Sequence, residues 1–223
     1  MKRRFFIIAV LLLSITAAHA QGIYFPSEEG LTVEYANKNA KDKITGYIAY
    51  KFQKIERQDD LNYTVKYQML MMDGNRKEKG EPIDAAVKVV NGTVYLDITS
   101  AFNDAASALG QISESITIEG SGLIIPADAK VGQKLDDASA KIGNLASSLC
   151  SNITVTAEEE LTTEAGTFQT IRLDMDVSGK VLIIKTEGTS TQWCAKGIGL
   201  VRTINYNKKG NVTASMELVS VTR

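Results

Sequence analysis

Thr170-Ile171-Arg172-Leu173-Asp174-Met175-Asp176-Val177-Ser178 is the stretch that decides the fold. Ile171, Leu173, Met175 and Val177 fall on one side of an extended chain; Arg172, Asp174, Asp176 and Ser178 fall on the other. Successive side chains of a strand point to opposite faces. This is therefore a strand with one dry face and one wet face, as in antiparallel sheets. The same period recurs at Ile44, Gly46, Ile48, Tyr50 and Phe52, at Tyr63, Val65, Tyr67 and Met69, and at Val212, Ala214, Met216 and Leu218. Thr, Val, Ile and Tyr, which suit a pleated surface, are abundant in these runs. Between the runs lie Asp73-Gly74-Asn75, Asn91-Gly92, Ser178-Gly179-Lys180 and Lys208-Lys209-Gly210-Asn211. Gly or Asn supplies the positive φ of a hairpin turn in each. Short strands punctuated in this way predict an all-β sheet, barrel or roll.

One segment departs from the pattern. From Ser100 to Gly110 the chain is rich in alanine, and Phe102, Ala105, Ala106 and Leu109 form one stripe at helical spacing. Ser100 suits an N-cap and Gly110 a stop. The expectation is a minor α component: one short amphipathic helix on the concave face of a curved sheet. There it either plugs the core or serves as a lid over an apolar cavity. Pro26, Pro82 and Pro126 interrupt none of the alternating runs, and no linker or repeat divides the chain.

Residues 1–20 read as a secretory signal peptide, with Lys2, Arg3 and Arg4, an apolar run from Phe5 to Ile15, and Ala18-His19-Ala20 before the cleavage point. The expected organisation is a removed signal peptide over 1–20 and a single β domain over 21–223. Cleavage takes three of the 25 basic residues and none of the 26 acidic ones, leaving a net charge of about −4. Such a balance argues against nucleic acid and against anionic lipid as partners. No later segment approaches the roughly 18 apolar residues of a membrane span. No cysteine follows the cleavage point directly. The expected product is thus soluble, periplasmic or extracellular, and not lipid-anchored.

Cleavage also removes His19, the only histidine. Ser-His-Asp and Cys-His catalysis are then out of reach, and zinc loses its commonest ligand. No phosphate-binding loop is present; Gly197-Ile198-Gly199 is too short for a nucleotide fingerprint and reads as a turn or bulge. Asp174 and Asp176 share a wet strand face, Glu158, Glu159 and Glu160 form a run at a strand end, and Asp136-Asp137 reads as loop. All are expected to be solvated, and no catalytic, metal or cofactor-binding residue is assigned. Met69-Leu70-Met71-Met72 either packs in the core or hairpin or lines an adaptable pocket. Cys150 and Cys194, in an oxidising compartment, either form one disulfide or are small buried hydrophobes. A disulfide would close a loop of about 45 residues and contribute roughly 4 kcal/mol in the chain-entropy model.

Three pieces of the second half carry a resemblance: Ile125-Pro126 leading to Val131-Gly132-Gln133-Lys134-Leu135-Asp136-Asp137; Glu159-Glu160-Leu161-Thr162-Thr163-Glu164-Ala165-Gly166-Thr167-Phe168; and Gln192-Trp193-Cys194-Ala195-Lys196-Gly197-Ile198-Gly199-Leu200-Val201-Arg202. With Tyr24-Phe25-Pro26, Gly30 and Tyr35 near the start, the chain resembles the TapB-like family of exported bacterial proteins, a domain of unknown function. The resemblance implies a single strongly curved antiparallel sheet, a half-barrel similar to those of envelope lipoprotein carriers, with no enzyme activity and no cofactor. Within its motif Gly166 is read as a hairpin turn, Phe168 as pointing into the core, Trp193 as a core anchor, and Gly197 and Gly199 as a bend. Arg202 is read as pairing with a sheet carboxylate.

The functional expectation is a non-enzymatic envelope protein that binds a protein partner or an apolar small molecule on its curved sheet. Protein interaction or a structural duty ranks ahead of lipid or lipoprotein carriage, which demands an apolar cavity. The rival is an envelope hydrolase built on two carboxyl groups, one with a raised pKa.

Overall fold

The computed structural model describes residues 22–26, 28–95, 118–142, 146–181 and 184–223. They form one antiparallel sheet of thirteen strands. In chain order these are β1 (Thr32–Asn39), β2 (Ile44–Arg57), β3 (Tyr63–Asp73), β4 (Ile83–Val90), β5 (Thr93–Tyr95), β6 (Ile118–Ser121) and β7 (Ile124–Ile125). There follow β8 (Ala138–Ile142), β9 (Ala146–Thr163), β10 (Gly166–Val181), β11 (Ile184–Ala195), β12 (Gly199–Asn207) and β13 (Val212–Thr222). The spatial order is β6-β8-β9-β10-β11-β12-β13-β1-β2-β3-β4-β5-β7. The fold is the expected all-β, curved antiparallel sheet, not closed into a barrel. Its two edges, β6 and β7, are consecutive in the chain, so the seam is crossed by residues 122 and 123 rather than by ladder hydrogen bonds. The helix expected at Phe102, Ala105, Ala106 and Leu109 lies outside the described residues, as does the signal peptide over 1–20.

Curvature has a local cause. Register shifts interrupt the ladders at Glu34/Tyr35, Phe52/Lys54, Arg172/Leu173, Trp193/Cys194 and Asn205/Tyr206. Each bulge bends its strand and increases the local twist. The dry faces turn inward and meet in two clusters. Leu31, Val33, Val65, Val87, Val89, Val201 and Leu218 belong to one. Ile153, Val155, Ile171, Leu173 and Met175 belong to the other, so the alternation of the opening stretch holds in space.

The turns follow the sequence with one exception. Asn91 and Gly92 both have positive φ, 50° and 73°, which lets a two-residue link join β4 and β5. Ser178-Gly179-Lys180 is not a turn. Gly179 is paired with Thr186 on one side and Ser148 on the other, and β10 runs on to Val181.

The cysteines are both free. Cys150 on β9 lies opposite Val177 of β10, whereas Cys194 on β11 lies opposite Ile171. Six residues of strand separate those positions, about 20 Å. A bridge needs its Cα atoms within about 7 Å, so this register forbids the disulfide.

Candidate functional site

The inward face encloses a cavity of about 270 Å³. Its wall is built strand by strand. Val33 and Tyr35 come from β1, Tyr50 and Phe52 from β2, Tyr67 and Met69 from β3, and Val87 from β4. Leu200 of β12, Met216 of β13, and Gln192 and Cys194 of β11 face them, with Leu123 and Ile125 completing the wall near the seam. Because strand side chains alternate, each run contributes every second residue, and the alternation that marks the strands also selects the lining.

One end is covered by the segment before β1. Gly197 donates its N–H to the Ile23 carbonyl at 2.8 Å, and Pro26 bridges to Gly197. Gly199 permits this crossing. A Cβ there would stand 3.3 Å from Pro26 Cδ and 3.7 Å from Phe25 Cα, and its φ of 85° is itself glycine territory. Tyr24, Phe25 and Pro26 are thereby laid across the trough and line it. The turn at Gly197 and Gly199 thus receives residues 23–26.

Aromatic rings form a continuous belt. Tyr35 and Tyr50 lie edge to face with centroids 5.7 Å apart, Tyr50 and Tyr67 are 5.8 Å apart, and Phe52 and Tyr67 5.6 Å. Phe25 meets Phe52 edge-on at 5.6 Å. These are favourable offset geometries. Tyr35 donates its hydroxyl to the Leu200 carbonyl at 2.7 Å, tying β1 to β12 across β13.

None of the lining side chains carries a formal charge. Burial pushes the phenols of Tyr24, Tyr35 and Tyr50 above their ordinary range, and pushes the Cys194 thiol up to about 12. All four stay neutral near physiological pH, and Cys194 is a poor nucleophile because only the thiolate attacks. Three polar groups of the cavity lack a hydrogen-bond partner among the described residues: the Gln192 amide and the hydroxyls of Tyr24 and Tyr50.

The remaining motif residues have structural places. Gly166, at φ 133°, turns β9 into β10, and Phe168 packs against the first cluster together with Leu161 and Ala165. Arg202 of β12 pairs with Glu217 of β13 through Nε at 2.8 Å and Nη2 at 2.7 Å, which names the carboxylate the sequence left open. Trp193 is not a core anchor. It pairs across the ladder with Arg202 and Arg172, donates its indole N–H to Glu159 at 2.6 Å, and lies under the Arg172 guanidinium at 5.8 Å. Alternation along β11 places Cys194, opposite the inward Ile171, in the lining and leaves Trp193 on the other face. Of the Met69 to Met72 run, Met69 lines the cavity while Met71 is exposed.

The carboxylates of the hydrolase reading are tied up. Asp174 accepts from Thr191 at 2.7 Å, Thr156 at 2.8 Å and Arg172 at 3.0 Å, and Asp176 accepts from Asn152 at 2.7 Å. Burial raises the Asp174 pKa, but the hydrogen bonds from Thr191, Thr156 and Arg172 outweigh it and hold the group below its usual range. A catalytic acid needs the opposite shift. Glu159 and Glu160 are exposed and hold Trp193 and Gln169. Among the described residues no cluster of three His, Cys, Asp or Glu side chains is placed to hold a metal. No helix among them is long and apolar enough to cross a membrane.

Fold and site together define an open, strongly curved β-trough with a neutral, aromatic-lined hollow. Residues 28–218 match the DUF3108-like family, and the chain belongs to it. The TapB-like name suggested by the motifs does not recur among the matches; a domain of unknown function does. The chain is similar in fold to a Bacteroides fragilis protein described as exported with a YmcC-like fold, at 18% identity and a TM-score of 0.74 over 91% of this chain and 100% of that one. It is also similar to a Parabacteroides distasonis protein described as a lipoprotein, at 18% identity and a TM-score of 0.73 over 90% of this chain and 99% of that one. No curated protein matches the chain.

Proposed function

We propose that this is an exported, non-catalytic protein that binds a small apolar ligand in the hollow of its curved sheet. One observation carries the reading: a hollow of about 270 Å³ with an aromatic and aliphatic lining. Close-packed interiors leave few voids larger than a water molecule, so a hollow of this size at the centre of the trough calls for an occupant. The lining is of the kind that holds small molecules, and the volume sits just under the roughly 300–1,000 Å³ of drug-sized sites. It suits one chain rather than the several chains of a lipoprotein anchor. Carriage of a small ligand therefore ranks above the protein-interaction duty favoured by the sequence. Export rests on the signal-like residues 1–20 and on the descriptions of the two similar structures.

The test is a titration of residues 21–223 with the neutral fluorophore N-phenyl-1-naphthylamine. Saturable enhancement with one site per chain is expected. Met216→Trp and Met69→Trp, which fill the hollow from β13 and from β3, should each weaken binding at least tenfold with an unchanged urea midpoint. A linear, non-saturating response, or binding unmoved by both variants, refutes the reading.

A further inference from the structure

We propose that the occupant of the hollow is uncharged: a single apolar chain that ends in a neutral hydrogen-bonding group, a hydroxyl or carbonyl, met by the side-chain amide of Gln192. The inference rests on the ligand-binding reading above and adds the chemical class.

Charge is excluded first. The inward positions of β11 are Thr186, Gly188, Ser190, Gln192 and Cys194, whereas Lys185, Glu187 and Trp193 alternate outward. On β10 the inward Ile171, Leu173, Met175 and Val177 alternate with Arg172, Asp174 and Asp176. These two adjoining strands thus keep their ions outside. An ionised group inside would lose its water and find no counter-ion, a cost that grows steeply in a low-dielectric site. Lys196 and Glu158 both reach the surroundings of Tyr24, one over its ring at 5.5 Å and the other through its charge. They are of opposite sign, so neither an anion nor a cation is favoured there. Tyr24, Tyr35, Tyr50 and Cys194 titrate only in alkali, so the lining gains no charge at neutral pH.

A purely hydrocarbon occupant is excluded next. Gln192 stands among Leu173, Cys194 and Leu200 in a wall that is otherwise apolar or aromatic. Its neighbours on the same face are already satisfied, since Ser190 and Thr203 bond one another at 3.3 Å. The Gln192 amide has no such partner among the described residues, and neither has the Tyr50 hydroxyl. Neither group is sealed from solvent, so both are open to the hollow, and an occupant that covers them costs their hydration unless it offers a hydrogen bond in return. An amide both donates and accepts, which suits a hydroxyl or a carbonyl and gives a carboxylate no charge to pair with. At about 30 Å³ per methylene-sized group, the hollow holds about nine of them.

The experiment displaces the naphthylamine from residues 21–223 at pH 8 with decan-1-ol, sodium decanoate and decyltrimethylammonium, each below its aggregation limit. Decanol is expected to displace the probe, with the two ions at least tenfold weaker. In Gln192→Leu the affinity for decanol relative to that for the probe should fall about threefold to tenfold. Equal displacement by decanol and either ion, failure of decanol to displace a bound probe, or no loss in Gln192→Leu overturns this proposal while the hollow remains a binding site. Failure of the naphthylamine itself to bind overturns the earlier reading instead.

Discussion

Deleting one oxygen atom from each of two neighbouring tyrosines should have unequal consequences. The rings of Tyr35 and Tyr50 are 5.7 Å apart, and both line the hollow. Tyr35 is 4% exposed, and its hydroxyl bonds the Leu200 carbonyl at 2.7 Å. In Tyr35→Phe that bond is lost, with a net cost near 1 kcal/mol, and the carbonyl forfeits one of its partners in a dry setting. The expected destabilisation is about 1–2 kcal/mol. For a chain of this size that lowers Tm by roughly 2–4 °C per kcal/mol. In Tyr50→Phe there is no bond to lose among the described residues, and a hydroxyl open to the hollow disappears. Its expected change is under about 0.5 kcal/mol, or a slight gain. Trp193 is the only tryptophan and reports unfolding through its fluorescence, so urea curves with a common slope compare the two variants directly. Equal losses, or a loss in Tyr50→Phe alone, refute the assignment of partners on which the account of the hollow stands.

Alkali should unfold the protein in a way that traces to Cys194. Its thiol and the phenols of Tyr35 and Tyr50 hold their protons in the folded state above the pH at which the unfolded chain releases them. Their contribution is complete below the ordinary pKa and is lost as pH rises. For Cys194 the window runs from 9.0 to about 12, at on the order of 1 kcal/mol per pH unit, and Cys194→Ala should flatten that limb in urea midpoints taken across pH. Intact-mass and thiol-reagent measurements should find two free thiols, Cys194 unreactive until urea is added; a bridged pair contradicts the register. Gly188→Ala should fail to fold or lose well over 2 kcal/mol, because a Cβ there collides with the Tyr206 carbonyl of the adjoining strand. Gly210→Ala, with open space around it and only its φ of 77° to strain, should lose about 1 kcal/mol in the same melts. A double-mutant cycle on Arg202 and Glu217, which are 25% and 19% exposed, should return a coupling above the usual 0–1 kcal/mol of surface pairs, and a coupling near zero removes the pair from any structural role.

The alternation at Ile171 to Val177 was enough to read the strands, because a strand's two faces are written at every second residue and need no knowledge of the rest of the chain. The turn at Asn91-Gly92 was legible for the same local reason. Ser178-Gly179-Lys180 misled because a glycine that admits a turn also fits inside a ladder, and only the partners Thr186 and Ser148 decide which. Trp193 was misplaced because its face was read from its size and not from the ladder. Regular alternation along β11, with Arg172 opposite Trp193 and Ile171 opposite Cys194, sets the large side chain on the wet face and the small one on the dry face, while the extra residue of the bulge, Val201, lies on β12. The disulfide question had the same form, since the distance between Cys150 and Cys194 depends on the register of β9 and β11 against β10.

The hollow was half legible. Every lining residue on β2 and β3 belongs to a run whose faces were assigned from sequence, so the identity of the lining was implicit in Tyr50, Phe52, Tyr67 and Met69. Its emptiness was not. Whether inward side chains from opposite walls touch or leave a gap depends on the radius of the trough, and that radius is the sum of bulges on several strands. The absence of charge from the inward faces is different in kind: it follows from the pattern alone, whatever the radius. A solid core and a ligand site would share that pattern equally. The Gln192 amide separates the two, because a polar group open to the hollow has a use only if something enters it. If Gln192→Leu makes the protein more stable yet a poorer host for decanol, the residue is there for the ligand. If the variant is less stable and binds as before, the amide serves the fold and the hollow has no polar anchor.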